Sequence, residues 1–235
     1  CGIAAILVGT VLIALVAVVV AMPIAMGTAL FITEVAPTWL RSWLIALVDL
    51  MAAVPSVVYG LWGLFFLQGK ILGLSRWLNS WFGWLPFFDV ARADPNSPLS
   101  SESVYTASTF IAGVVVAMMV MPISCVVMRE VFSQVPLGER EGAYALGSTR
   151  WGMIRVVALP FGRGGIIGGT MLGLGRALGE TIAVLLIISP RFDINFHILE
   201  AGGNSVASHI AARTFESTGF GRSALMAAGL ALFAI

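Results

Sequence analysis

The chain has 235 residues, of which 59% are hydrophobic and only 11% charged, and its mean hydropathy is +0.97. That charge content is about half the usage of soluble proteins, which excludes a lone water-soluble globular core. The net charge of +1 gives no sign of a nucleic-acid partner.

Apolar runs near or above the ~20 residues that cross a bilayer make this a polytopic membrane protein. Residues 2–33 hold no ionisable side chain. They are too long for a signal peptide and lack its basic leading region. One long helix is expected over 3–33, with Pro23 and Gly27 as kink points. Residues 34–41, EVAPTWLR, form a short polar connection. A second span is expected over 42–67, interrupted by Pro55. Asp49 leaves an alternative open, in which 39–53 is an interfacial helix and the span starts later.

Residues 68–103 are expected as an external, non-spanning region. Their first half, LSRWLNSWFGWLPFF, is dense in Trp and Phe, as at a membrane–water boundary. The second half, DVARADPNSPLSSES, is polar and turn-forming. A third span follows at 104–128, then a charged loop at 129–163 and a fourth span at 164–189. A second external loop, 191–221, carries His197 and His209, and a fifth span starts at Ala224. The expected fold is therefore all-α: one transmembrane helix bundle over 1–235, with five spans and no sheet. The chain opens on Cys1 and stops inside an apolar run, which reads as trimmed at both ends. Cys1 and Cys125 show no pairing or metal-ligand spacing, so neither a disulfide framework nor a metal site is expected.

Arg129, Arg140, Arg150, Arg155 and Arg163 fall in the 129–163 loop, which favours the cytoplasm for it. Lys70, Arg76, Arg92, Arg191 and Arg213 on the outer loops nearly balance them. Charge alone therefore does not decide the orientation.

Within the charged loop, Glu141-Gly142-Ala143 is followed by Gly147 and later by Val157-Ala158-Leu159-Pro160. This spacing resembles the EAA loop of ABC-importer permeases, with Gly142 in place of Ala and Val157 in place of Ile. A short helix over 137–146 would seat closely in a partner's groove, and Gly147 suits the positive φ that ends a helix. Glu139, Arg140 and Glu141 would leave a charged face for register. An ordinary helix–turn–helix loop is the plainer reading, but the length of the pattern and its Leu-Pro end favour docking.

The fourth span contains Gly165, Gly169 and Gly173 at every fourth position, with Gly175 and Gly179 beyond. Such spacing lets another helix backbone approach closely, so helix packing is the expected role. Arg176 and Glu180 lie four apart, on one helical face. An arginine at mid-bilayer costs ~2.5–3.5 kcal/mol on insertion scales and must face the bundle interior or a wet cavity. A structural salt bridge is one reading. A substrate path is favoured, because intramembrane ionisable residues usually mark one.

LGLGRALGETIAV, AAVPSVVYGLWGLF and NSVASHIA together resemble the PstC-type permeases of phosphate-specific ABC importers, over nearly the whole chain. The resemblance implies a MetI-like six-helix fold whose first helix would precede Cys1. It places the 129–163 loop in the cytoplasm and the chain in a bacterial or archaeal inner or plasma membrane. It also implies partners: a PstA-like second permease, two PstB-like ATPase subunits that hold ATP and magnesium, and a periplasmic or cell-surface phosphate-binding protein. On this reading Arg176 and Glu180 line the path, while Glu139, Arg140, Glu141, Gly142, Ala143 and Gly147 dock the ATPase. The PstA-type sister carries a related Arg…Gly-Glu-Thr stretch and remains an alternative, as do sulfate or molybdate importers.

No GxxxxGK[ST] phosphate-cradling loop is present, and the lone Lys70 precedes Ile71, so no ATP hydrolysis is expected here. An intramembrane enzyme would need a nucleophile–base or metal set within the spans. His197 and His209 fall outside them, and neither HExxH nor GxSxG occurs. A stand-alone anion channel or secondary carrier would keep Arg176 but has no use for an EAA loop.

Overall fold

The computed structural model describes residues 2–90 and 102–234. Most of the turn-forming stretch expected in the first external loop, including Arg92, lies outside the described residues.

The first helix, α1 (Gly2–Leu30), runs through Pro23 and Gly27 and passes into a π-helical turn, Phe31–Val35. It stops because Ala36, held before a proline, turns extended at ψ 132°. The next helix, α2 (Thr38–Ala53), ends for the same reason, with Val54 extended at ψ 130° ahead of Pro55. The expected span over 42–67 is thereby corrected. α2 is a separate helix, and α3 (Ser56–Trp62), a π-helical turn Gly63–Leu67 and α4 (Gln68–Phe82) follow it. These last three form one apolar helix, Ser56–Phe82. Residues 68–82, expected as external loop, are helical because no proline interrupts the Trp-rich sequence before Pro86.

After α5 (Glu102–Tyr105) comes α6 (Thr109–Ser133), then the short α7 (Leu137–Ala145) and α8 (Arg150–Met153). A π-helical turn, Ile154–Ala158, leads through α9 (Leu159–Phe161) into α10 (Arg163–Gly179). The chain ends with α11 (Ile182–Ile187), α12 (Val206–Arg213) and α13 (Phe220–Ala234). Among the described residues there is no strand, only isolated bridges pairing Ser108 with Ala201 and Pro190 with Gly203.

Ile3–Val35, Ser56–Phe82 and Thr109–Ser133 are long and apolar enough to cross a membrane. A fourth span results if Arg150–Phe161 and Arg163–Gly179, which meet at 66°, count as one. The expected fifth, Phe220–Ala234, is apolar but only 15 residues long.

The chain forms two compact units. The first comprises Cys1–Ala17, Pro55–Ala117 and Arg176–Ile235. Here α3 lies directly on α11: a Cβ at Gly60 would sit 2.9 Å from the Cα of Ala183. Gly63 meets Val115 and Ile187 just as closely, so glycine at both places permits the contact. The N-terminus of α12 is closed by a capping box between Ser205 and Ser208, and Val206 N–H donates to Thr10 Oγ1 at 3.0 Å.

The second unit comprises Val18–Val54 and Met118–Gly175. Its core gathers Ala29, Ile32, Cys125, Met128, Phe132 and Ile154. Gly165, Gly169 and Gly173 bring α10 onto α6, where added Cβ atoms would meet Val131, Met128 and Ser124 at 2.6, 3.2 and 2.7 Å. Ser124 Oγ donates across this contact to the Gly169 carbonyl at 2.9 Å. A Cβ at Gly175 or Gly179 would, by contrast, meet nothing within 4 Å.

Candidate functional site

The charged loop is organised by α7, in which no residue is buried. Pro136, extended at ψ 136°, starts the helix. Its end is a Schellman motif, with Ser148 N–H donating to the Ala143 carbonyl at 3.1 Å and Gly147 N–H to Tyr144 at 2.9 Å. Gly147 closes the motif at φ 81°, where other residues are strained. Glu139, Glu141 and Gly142 are exposed, and Ala143 is half-buried against the core. A Cβ at Gly142 would meet nothing within 4 Å. The face turned outward also carries Leu137 and Leu146, which is 89% exposed.

Arg140 departs from the expectation. It does not share the charged outer face but turns inward, with Nη2 donating to the Phe132 carbonyl and lying 3.0 Å from Glu34 Oε1. Glu34 is itself almost wholly covered, with a side chain 3% exposed. The spacing of Glu139, Arg140 and Glu141 puts three charges in a row, but a helix of 3.6 residues per turn cannot aim consecutive side chains at one face.

Arg176 and Glu180 are also placed differently from expectation. α10 ends at Gly179, so Arg176 occupies its last turn and Glu180 lies beyond it. No ion pair joins them. Glycine-rich sequence weakens the helix here, and Thr181 Oγ1 donates to the Gly179 carbonyl at 3.1 Å, offering that carbonyl a local partner. Arg176 is half-buried, and its Nε is buried without a hydrogen-bond partner among the described residues. A cation in the last turn is favoured by the helix dipole. Glu180 is only 8% exposed.

Tyr59 of α3 lies within electrostatic reach of the Arg176 guanidinium. Sequence reasoning passed over it. Its only signal is its position beside Gly60 in VPSVVYGLWG, at the point where α3 meets α11.

Between α11 and α12, Glu200 accepts from Arg191 Nη1 at 3.0 Å and Asn195 Nδ2 at 3.1 Å. A cavity of about 360 Å³ lies among Ile3, Phe192, His209, Arg213 and Leu225. Neither Arg176 nor Glu180 lines it. The edge of the Phe192 ring stands against His209, at 5.4 Å between centroids and 80° between planes.

The family described as binding-protein-dependent transport system inner membrane component matches residues 21–235. The chain belongs to that family. Several relatives match over nearly the full chain. The phosphate transport system permease protein PstC of Pasteurella multocida is 43% identical over 230 residues, covering 97% of this chain and 69% of the relative. Phosphate transport system permease protein PstC 2 of Mycobacterium tuberculosis is 42% identical, over 96% of this chain and 68% of its own length. The PstC protein of Mesorhizobium japonicum is 36% identical, with coverage of 97% and 67%.

Proposed function

We propose that this chain is a membrane permease subunit of an ATP-driven importer of inorganic phosphate. The observation that carries the reading is the 43% identity, across 97% of the chain, to a relative named for phosphate transport. The exposed α7, set in an EAA-like loop, supports docking of a separate ATPase that holds ATP and magnesium, with Glu139, Glu141, Gly142 and Ala143 at the contact. A PstA-like second permease, two PstB-like ATPase subunits and a phosphate-binding protein complete the assembly in a bacterial inner membrane.

Arg176 contacts the passing anion. A guanidinium presents a planar donor fork that matches two phosphate oxygens, and its Nε has no hydrogen-bond partner among the described residues. The helix break beside it supports this role, because transporter helices are commonly discontinuous where substrate binds. Glu180, buried and four residues on, repels the anion and keeps binding weak enough for release, as any conduction path requires.

The test is uptake by the assembled complex in vesicles that contain ATP. Phosphate uptake that needs both ATP and the phosphate-binding protein, and that excess sulfate or molybdate leaves unchanged, is the expected result. Uptake inhibited by sulfate or molybdate instead would assign another anion, and uptake independent of ATP would assign a channel or carrier.

A further inference from the structure

We infer that the Arg140–Glu34 contact is the link through which motion of the surface helix α7 reaches the membrane spans, a role that rests on the ATPase docking proposed above. The first observation is how little else holds α7. None of its residues is buried, and Ala143 alone adds a partly buried apolar contact to the core. Arg140 is the residue of α7 whose charged end reaches inward, with its side chain only 20% exposed.

The second observation is what Arg140 reaches. Glu34 belongs to the π-helical turn that ends the first span, Ile3–Val35. Phe132, whose carbonyl accepts from the same Nη2 at 3.0 Å, lies at the end of the span Thr109–Ser133. The Phe132 ring in turn packs on Gly162, where no Cβ could fit, at the corner between α9 and α10. One guanidinium thus ties α7 to the ends of two spans, and through Phe132 to the bend of a third helix.

The third observation is the chemistry of the contact. At 3.0 Å the Arg140–Glu34 approach is ionic, Nη2 also donates to the Phe132 carbonyl, and Glu34 Oε1 has no hydrogen-bond partner among the described residues. A covered ion pair with an unsatisfied Arg140 Nε is costly to hold and costly to break on one side. Packing could hold a helix with apolar side chains alone. A buried charge pair instead has two discrete conditions, closed and open, which suits a part that must be moved. Arg140 is therefore a positioning residue: it need not touch the ATPase.

The experiment uses the complete reconstituted importer and reads three quantities: ATPase association, ATP hydrolysis and phosphate uptake. Glu34→Gln and Arg140→Gln should each retain ATPase association and hydrolysis but lose uptake per ATP consumed. The exchanged pair E34R/R140E should recover uptake that both single changes lose. Should Arg140→Gln prevent assembly, Glu34→Gln decides alone, since Glu34 lies off α7 and is covered. Loss of ATPase association by Arg140→Gln with a normal Glu34→Gln protein would overturn the inference and return Arg140 to the docking face, leaving the proposed function intact. Unchanged uptake per ATP in both single variants would also overturn it. Failure of the unaltered chain to bind any ATPase would overturn the docking reading together with this one.

Discussion

Glu180 sits just past the end of the helix that carries Arg176 in its last turn, and the two side chains form no ion pair. Each is therefore held by its own surroundings, the cation by the helix terminus and the carboxylate by the packing that covers it. Arg176 Nε is left without a hydrogen-bond partner among the described residues, which supports the anion-contacting role proposed for it.

A double-mutant cycle checks this. Arg176→Gln and Glu180→Gln should change thermal stability additively, with an interaction energy within about 0.5 kcal/mol. A buried pair broken on one side costs roughly 3–5 kcal/mol, so a coupling of that size would show that the pair forms after all.

The glycines separate into two classes. Gly173→Val should destabilise the protein by about 1–3 kcal/mol, since its side chain would press on Ser124 and Val120. Gly175→Ala, open to space, should instead stabilise the protein by up to about 1 kcal/mol through helix propensity. Thermal unfolding of the purified chain in detergent distinguishes them. Equal losses at both positions would contradict the packing described.

His209 lies outside the helices that qualify as spans, with its imidazole pushed below the ordinary value of 6.5, first by burial and then by Arg213. The folded protein therefore resists protonation that the unfolded chain accepts. Above about pH 6.5 the neutral ring carries no penalty. As pH falls from there through the lower folded value, stability is lost, and the loss levels off once both states are charged. Unfolding midpoints measured from pH 7.5 to 5 should decline in the native protein, with less of a decline in His209→Phe.

Glu141→Lys should weaken ATPase association by about tenfold, on the order of 1.4 kcal/mol, with the membrane helices still folded. Glu141 is exposed on α7 and has no internal ion pair to lose. Pull-down of the ATPase across a salt series measures it, and undiminished association would remove Glu141 from the docking face.

Local chemistry made part of this molecule legible from sequence. The α7 helix and its glycine stop follow from the Pro136 start and the positive φ that Gly147 supplies. The Val54–Pro55 break follows from the restriction on a residue before proline. Gly165, Gly169 and Gly173 pack as their spacing requires, because a four-residue repeat stays on one helix face. What sequence could not show was governed by distant partners. The inward turn of Arg140 depends on Glu34 and the Phe132 carbonyl, which no local pattern brings to it. The helix stop before Glu180 has no proline to announce it, only Gly179 and the Thr181 hydroxyl. Residues 68–82 read as interfacial from their tryptophans, although aromatic residues sit equally well on a helix that continues.

If Arg176 contacts the transported anion, its loss is read in phosphate uptake per assembled complex. Losing a hydrogen bond to a charged group removes roughly 1.5–3 kcal/mol, so Arg176→Gln should cut uptake at least about tenfold while assembled-complex yield stays normal. Arg176→Lys should also be impaired, because a point charge lacks the guanidinium fork. Reduced yield in Arg176→Gln, with normal uptake by each complex that assembles, would make Arg176 a structural residue with no contact to the anion.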